Sequence, residues 1–364
     1  MLTRLVGTLG RNATILAVVA VGATLATFVL RQTGGDHVLV FVMSAVALAG
    51  LAGLVGEATD QLGHRTGPGA TGVLQSALGN LPELFISIFS LQAGLVVVVQ
   101  TALIGSILAN SLLVLGLAFF LGGLKHGPQK FDAPAVRSMA VLLLLAVAAL
   151  AIPTLATAPG APDAGHAQDI SIFVSIVLLV VFAASVPYSI RGGPGASAIK
   201  APVEDLEAWS MRLVLGVLFA AAIGAALMSD WFVEALRPAM ATLGMSEEFV
   251  GLVIVAIAGN AVENVVGIQM AIRNKPDLAI SVILNGSVQV AIALTPALVL
   301  ISLFAGGGLT LILSPLLLAT LTLATLLTAF IVFDGETNWL EGLALLGLYL
   351  IIAASVWYGQ PIHV

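Results

Sequence analysis

Apolar runs of about 20 residues follow one another along almost the whole chain, and each is long enough to cross a hydrocarbon core of about 30 Å. Of the 364 residues, 59% are hydrophobic and 9% are charged. Soluble globular proteins carry roughly 25% charged residues. The sequence therefore predicts an all-α protein that crosses a membrane many times, and it excludes a soluble enzyme.

Polar residues, glycines and prolines divide these runs into about eleven candidate helices. We place them at 13–31, 37–56, 70–92, 95–122, 135–153, 168–188, 209–230, 247–272, 277–305, 309–332 and 338–358. The first run follows Arg4 and Arg11 and has some features of a signal peptide. It is long for one, and no small-residue cleavage motif follows before Arg31, so we predict a retained helix.

The basic residues predict the orientation, because cytoplasmic loops collect lysine and arginine. With eleven spans, only Arg31 and Arg237 of the 13 basic residues fall on the side opposite the N-terminus. We therefore place the N-terminus in the cytoplasm and the C-terminus outside, in a cell membrane. The residues on the cytoplasmic side are Arg4, Arg11, Arg65, Lys125, Lys130, Arg137, Arg191, Lys200, Arg212, Arg273 and Lys275.

Two features of the composition exclude other classes of protein. The chain has no cysteine, which excludes disulfides, thiolate metal ligands and a cysteine nucleophile. Its 19 acidic and 13 basic residues give a net charge of −6, and the charges are scattered. The sequence therefore offers no surface for nucleic acid.

A five-residue motif occurs twice, 180 residues apart: Gly79-Asn80-Leu81-Pro82-Glu83 and Gly259-Asn260-Ala261-Val262-Glu263. The polar stretch 189–208 divides the chain between the two copies, so that five predicted spans fall in each half. An odd number of spans makes the second half enter the membrane from the opposite side, and such inverted repeats are typical of secondary transporters. We predict a leading segment (1–36), a first repeat (37–188), a cytoplasmic linker (189–208) and a second repeat (209–364).

Glu83 and Glu263 each lie near the middle of an apolar span, where an ionised carboxylate is costly unless a proton or cation neutralises it. No lysine, arginine or histidine shares those spans. A proton or a bound metal ion is the partner that remains. The alternative interpretation is that both acids stay neutral and only bridge helices.

The residues around the two acids are typical of a break and a binding surface. Gly79, Pro82 and Gly259 weaken the helix, and freed backbone carbonyls can then line a cavity. Asn80 and Asn260 each precede their glutamate by three residues, so the amide and the carboxylate share one helix face.

The next span in each half supplies further polar residues. Ser106 and Asn110 are four residues apart, as are Asn285 and Gln289, with Ser287 beside them. These side chains offer hard oxygen donors, which suit Ca²⁺ better than Zn²⁺ or Cu⁺. For Ser106 and Ser287, a role in helix packing explains the sequence equally well.

Glu57 and Asp60 lie near the cytoplasmic end of the second span. They are candidates for an ion access route. A solvated helix end explains them as well.

At these motifs the sequence resembles the calcium/proton exchanger (CAX) family of the cation/calcium exchanger superfamily. The resemblance covers nearly the whole chain after the first helix. It rests on four stretches: Gly56-Glu-Ala-Thr-Asp-Gln-Leu-Gly-His-Arg-Thr-Gly67 leading to Gly79-Asn80-Leu-Pro-Glu83; Ile104-Gly-Ser-Ile-Leu-Ala-Asn110 leading to Leu-Gly-Gly123; Gly259-Asn-Ala-Val-Glu263 with Asn274-Lys-Pro-Asp-Leu278; and Asp334-Gly-Glu-Thr-Asn-Trp-Leu-Glu-Gly342.

The resemblance implies one leading helix plus two inverted five-helix repeats, and a transporter, not an enzyme, that exchanges Ca²⁺ or a related divalent cation for H⁺. It also implies that Glu83 and Glu263 bind the ion and carry protons. The expected partners are Ca²⁺, H⁺ and the lipid bilayer, with no permanently bound cofactor and with a homo-oligomer left open. A sodium-coupled or broad-specificity divalent cation exchanger on the same fold is the alternative.

Four positions depart from or extend the family pattern. Asn264 stands where the family usually has histidine, and Asn285-Gly286-Ser287 stands where it has Gly-Ser-Ser. Gln75-Ser76-Ala77 replaces Asn-Ala-Thr, and Pro82 before Glu83 is similar to the Pro-Glu pair of sodium/calcium exchangers. Because these positions surround the predicted site, the choice of ion depends on them.

Overall fold

The structure, a computed structural model, describes residues 9–66, 78–161, 163–190, 209–305 and 308–358. Nearly all of this chain is helical. The helices are α1 (Arg11–Gln32), α2 (His37–Thr66), α3 (Leu81–Gln92), α4 (Val96–His126), α5 (Ala133–Ala156), α6 (Ala167–Ile190), α7 (Met211–Leu243), α8 (Glu247–Gly259), α9 (Ala261–Ile272), α10 (Pro276–Ala305), α11 (Pro315–Ile331) and α12 (Trp339–Tyr358). Two short strands, β1 (Gln129–Lys130) and β2 (Glu336–Thr337), pair antiparallel.

Eight helices of the described chain are long and apolar enough to cross a membrane. The bent pair α8 and α9 makes a ninth if it counts as one span, and α3 and α11 are shorter apolar helices. The predicted all-α, multi-span membrane protein is confirmed. The count of eleven spans and the two-repeat layout stay predictions.

Helix α7 is longer than the predicted span 209–230, and that boundary was wrong. The helix begins after Ser210, whose hydroxyl accepts a hydrogen bond from the Leu213 amide, and it continues to Leu243. It ends where Gly244 adopts a left-handed conformation with φ 65°. The charges from Asp230 onward mark the end of the apolar run, but charged residues are compatible with a continuing helix.

Helix α11 begins later than the predicted start at residue 309. Ser314 caps it and Pro315 occupies its first turn, while residues 308–314 form no regular secondary structure. Leu309, Leu311 and Leu313 are buried in this irregular segment. Side chains satisfy its backbone: the hydroxyls of Ser302, Ser171 and Thr154 accept from their three amides, and the Gln100 amide donates to the carbonyls of Thr310 and Ile312.

The centre of the protein is built on α4 and α10, whose middle residues belong to the largest buried apolar cluster. Helices α2 and α7 form a second packed unit, in which the rings of Phe41 and Phe232 stack with centroids 4.8 Å apart. Helix α1 packs against α2 and has many exposed apolar side chains. This arrangement leaves apolar surface available to lipid.

Two groups of contacts mark the opposite ends of the protein, which we name from the predicted orientation. At the outer end, the Arg31 guanidinium pairs with Glu234, and Arg237 donates to the Ala93 carbonyl. At the inner end, β1 pairs with β2 and the Gln129 side chain bonds Asn274. Each group joins connections that the sequence assigns to one side of the membrane. Arg4, Arg191, Lys200 and most of the linker 189–208 lie outside the described residues.

Candidate ion-binding site

The helix breaks fall at the two asparagines of the repeated motif. Asn80 directly precedes α3, and Asn260 separates α8 from α9, whose axes differ by 64°. Both asparagines have similar backbone angles, φ −91° and ψ 11° against φ −108° and ψ 16°. Pro82 stands in the first turn of α3, where its missing amide hydrogen costs no helical bond. Pro82 therefore helps α3 to begin rather than interrupting a helix.

Glu83 lies in the first turn of α3, and it is fully buried. The amides at a helix N-terminus lack partners in the helix, and the helix dipole there favours negative charge. The backbone of Glu263 occupies the matching place in the first turn of α9, while its side chain lies outside the described structure.

A chain of hydrogen bonds joins Glu83 to the second half of the protein. The Ser106 hydroxyl donates to Oε1 of Glu83 over 2.5 Å, and Nδ2 of Asn260 donates to the Ser106 oxygen over 2.9 Å. Nδ2 of Asn260 also donates to the Ala256 carbonyl at 2.9 Å. Oδ1 of Asn260 is buried and accepts no hydrogen bond within the described residues. This oxygen can therefore serve as a ligand for a cation.

Close helix contacts hold the same elements together. A Cβ placed on Gly259 would lie 3.3 Å from Cβ of Glu83, so the second motif packs directly on the first acid. Where α4 crosses α8, a Cβ on Gly251 would lie 2.5 Å from the Val98 carbonyl oxygen and closer still to the Thr101 hydroxyl. Only glycine allows these backbones to approach so closely.

Four other predicted ligands are buried, but no described hydrogen bond connects them to the hydrogen-bond chain of Glu83, Ser106 and Asn260. Asn80, Asn110 and Gln289 are each at most 6% exposed, and Nδ2 of Asn110 has no partner in the described residues. The Ser287 hydroxyl lies 3.2 Å from that of Ser111, on α4. Asn285 is exposed on α10.

Ser111 is a polar residue of this region that sequence reasoning missed. It is buried, it pairs with Ser287, and its carbonyl accepts a hydrogen bond from Thr328 of α11 over 3.3 Å. In a regular helix Ser111 and Asn110 would differ by about 100° in direction. The only signal in the sequence was a hydroxyl residue inside an apolar run.

Two π-helical turns lie beside these polar residues. They span Ala109–Val114 in α4 and Val290–Leu294 in α10, at almost the same offset as the repeated motif. A π turn changes the direction of the side chains that follow it, and such turns are frequent at functional sites. The similar local geometry in both halves agrees with the repeat in the sequence.

The predicted access residues lie on α2. Glu57 is half-buried, and the side chain of Asp60 lies outside the described structure. No hydrogen bond described for α2 joins Glu57 to the hydrogen-bond chain that contains Glu83. Among the described residues, the structure also shows no group of three or more histidine, aspartate or glutamate side chains that could hold a metal ion.

The sodium/calcium exchanger protein family model matches residues 37–191 and 213–358. The chain belongs to this family. The chain is similar to a Ca(2+)/H(+) antiporter of Synechocystis. The two are 32% identical over 352 residues, which cover 91% of this chain and 94% of the relative. The Ca(2+)/H(+) antiporter ChaA of Bacillus subtilis is 35% identical over 322 residues, covering 86% and 91%. The solved structure of native YfkE superposes with a TM-score of 0.81 at 31% identity, covering 94% of this chain and 99% of that one.

Proposed function

We propose that this exchanger is a secondary antiporter that moves Ca²⁺, or a related divalent cation, against H⁺ by alternating access. The observation that carries the proposal is the buried chain from Asn260 through Ser106 to Glu83. It connects an acid of one half to the helix break of the other. Membership of the family and the names of the two antiporter relatives support the same function.

The proposed site has two carboxylates, Glu83 and Glu263. When both are ionised, one divalent cation neutralises them, and when both are protonated the site is neutral without metal. Two bare carboxylates in a medium of low dielectric constant are too costly to be a resting state. The protein therefore changes between its inward-open and outward-open states only with a divalent cation or with protons bound to the two acids. This requirement couples the movement of the two ions.

Neutral oxygens complete the proposed coordination shell. Oδ1 of Asn260 has no partner in the described residues, and Asn80 and Asn110 are buried near the same helices. On the other half, Ser287 and Gln289 supply a hydroxyl and an amide oxygen. Ca²⁺ takes six to eight oxygen ligands in flexible geometry, which such a set can provide.

The helix breaks explain how the site can serve both sides. Helices α3 and α9 begin just after the breaks that follow Gly79 and Gly259, so each acid lies in the first turn of a half-helix and not inside a continuous span. We propose that the two repeats are inverted and rock against each other, with Glu57 and Asp60 at the inner access route. The N-terminus is then cytoplasmic and the C-terminus outside, in a cell membrane.

A sodium-coupled or broad-specificity divalent exchanger is the second candidate. Asn264 favours it, because this chain lacks the imidazole that the resemblance leads us to expect beside the second acid. Asn264 is 9% exposed, and its Oδ1 accepts no hydrogen bond in the described structure. It can therefore contribute a neutral oxygen to a different cation.

The test is flux in sealed proteoliposomes with a pH-sensitive dye inside. Addition of Ca²⁺ should collapse an imposed pH gradient, with Mn²⁺, Mg²⁺ and Na⁺ tested in parallel. Coupling to Na⁺ without proton movement would support the second candidate instead. Ca²⁺ movement with neither proton nor sodium movement would indicate a channel and contradict both.

Glu83→Gln and Glu263→Gln should each abolish this exchange. Glutamine preserves the shape and one oxygen, but it removes the charge that metal and proton share. Glu336→Gln is the matched control, because Glu336 is exposed at the inner end. Flux above about a tenth of wild type in either site variant, a loss of less than about 1.4 kcal/mol, would contradict the two-acid site.

A further inference from the structure

The side-chain hydroxyls of three buried serines near the outer end make no hydrogen bond within the described structure. Ser87 and Ser90 lie on α3 and Ser229 on α7, and each side chain is at most 1% exposed. In hydrocarbon surroundings a hydroxyl without a partner is unfavourable, because no bulk water is there to replace it. These three hydroxyls therefore need an explanation.

Most buried hydroxyls of the described helices donate to a carbonyl three or four residues earlier in their own helix. Examples are Ser44, Thr59, Thr101, Ser175 and Thr325. The same acceptors exist for Ser87, Ser90 and Ser229, whose helices continue for at least four residues before them. Because they do not use those acceptors, their hydroxyls are available to water.

Ser87 and Ser90 continue the line that Glu83 begins. The three residues are spaced i, i+4 and i+7, which places them on one face of α3. From Glu83 the line runs toward the turn at Ala93, where Arg237 of α7 donates to the Ala93 carbonyl. The line therefore leads from the proposed site to the outer end.

Ser229 belongs to the same junction, because α7 packs on both α2 and α3. It precedes Arg237 by eight residues, about 12 Å of helix, and Ser87 precedes Ala93 by six, about 9 Å. The contact of Arg237 with Ala93 therefore brings Ser229 to about the level of Ser87.

Few charged groups flank this line. Asp230 follows Ser229, Glu234 and Arg237 stand at the outer end, and α2 carries His37 there. The remaining charged or titratable residues of α2 and α7 lie toward the inner end: Glu57, Asp60, His64, Arg65 and Arg212. The segments of α4, α8 and α10 that pack on α3, residues 96–108, 256–259 and 295–305, contain no titratable residue. Glu83 is thus the acid that the line reaches.

We propose that Ser87, Ser90 and Ser229, with water between them, form a proton relay between the outer end and Glu83 that does not admit Ca²⁺. This inference rests on the proposed antiport. A hydroxyl accepts a proton on one side and releases its own on the other, so each step leaves the serine unchanged. Ca²⁺ needs six to eight oxygens, whereas this line offers three hydroxyls and no carboxylate before Glu83. Passage of Ca²⁺ from the outer end to Glu83 then requires α7 to separate from α3, whereas passage of protons does not.

The test compares two fluxes in proteoliposomes that contain Ser87→Ala, Ser90→Ala or Ser229→Ala. Ca²⁺ uptake driven by a pH gradient needs the relay, while isotopic Ca²⁺/Ca²⁺ exchange without a gradient does not. We expect the first to fall about tenfold, the effect of one lost hydrogen bond in the rate-limiting step, and the second to stay within about twofold. Ser44→Ala is the matched control, because the Ser44 hydroxyl donates to its own helix at Phe41.

An equal loss of both fluxes would show a structural role or a metal path and would overturn the relay. No loss of either flux would overturn it too. If the wild-type protein exchanges Ca²⁺ but shows no proton coupling, the proposed antiport itself fails. That outcome is distinct, because it is visible before any serine is changed.

A second measurement uses the absence of cysteine in the natural chain. Ser90→Cys and Ser229→Cys introduce single thiols that a membrane-impermeant, positively charged thiol reagent can probe without background. A relay that passes only protons leaves both thiols unreactive in the metal-free protein even at about pH 8, where an accessible thiol is partly ionised and reacts. Rapid labelling there would show a route wide enough for a cation and would contradict the proposal.

Discussion

Ser106→Ala removes the central member of the hydrogen-bond chain between the two halves. The Ser106 hydroxyl donates to Oε1 of Glu83 and accepts from Nδ2 of Asn260, and all three side chains are at most 2% exposed. Alanine leaves the Glu83 carboxylate with one hydrogen bond fewer. Nδ2 of Asn260 keeps its second bond, to the Ala256 carbonyl. The variant should therefore fold, and its defect should lie in ion binding.

The magnitude follows from the state of Glu83 in each half-cycle. A hydrogen bond to an ionised group contributes about 1.5–3 kcal/mol, and one between neutral groups about 0.5–1.5 kcal/mol. Loss of this hydrogen bond therefore destabilises the metal-loaded state, in which Glu83 is ionised, by roughly 1–1.5 kcal/mol more than it destabilises the protonated state. We expect the Ca²⁺ concentration for half-maximal exchange to rise by about five- to fifteenfold at constant pH.

The assay is initial Ca²⁺ uptake against Ca²⁺ concentration at a fixed pH gradient. Ser175→Ala is the control, since the buried Ser175 hydroxyl donates to the Ser171 carbonyl in its own helix. Asn260→Ala tests the chain from its other end, and combined with Ser106→Ala it should have less than the summed effect. A half-saturating Ca²⁺ concentration within about twofold of wild type in Ser106→Ala would refute the reasoning, since it corresponds to less than about 0.4 kcal/mol.

Three further outcomes are expected. Asn264→His should shift the pH profile or the Ca²⁺/Mn²⁺ preference and leave transport intact, because it adds a titratable ring beside the second acid; an unchanged profile and preference would place residue 264 outside the site. Because one Ca²⁺ and two protons both neutralise two carboxylates, uptake should depend weakly on a potassium/valinomycin potential. A dependence near tenfold per about 60 mV would show that net charge moves. Gly251→Ala should lower the free energy of unfolding by about 1–3 kcal/mol, because the added Cβ would overlap Thr101 and Val98. The control Gly216→Ala should not, because its Cβ would meet nothing within 4 Å. Equal melting temperatures for the two variants would contradict the close crossing of α4 and α8.

The sequence by itself determined the class of fold, and it predicted the character of the site. Runs of apolar residues about 20 long can only be satisfied in a bilayer as helices, because every backbone polar group needs a partner there. The motif Gly-Asn-x-x-Glu predicted helix breaks at Gly79, Pro82 and Gly259, and the helices of the structure break at the neighbouring Asn80 and Asn260. An acid inside an apolar span also made Glu83 a candidate for ion binding without any structure, and the structure buries this residue completely.

The limits of the helices depended on more than local pattern. The apolar run of α7 ends near Asp230, but the helix continues to Leu243 because Arg31 pairs with Glu234 and Arg237 reaches Ala93. Residues 308–314 are mostly apolar, yet they are not helical, and side chains of three other helices and of Ser302 bond their backbone. Hydropathy does not record partners that are distant in sequence.

The tertiary structure alone decided which polar groups meet. Ser106 and Asn260 are 154 residues apart, and no spacing rule links them. The crossing of α4 and α8 at Gly251 brings their helices together, and the Asn260 amide can then reach the Ser106 hydroxyl. The same is true of Ser111 and Ser287, which lie on α4 and α10 and are 176 residues apart. Helical periodicity determines the face on which a side chain lies, but its partner depends on which helix packs there and at what height.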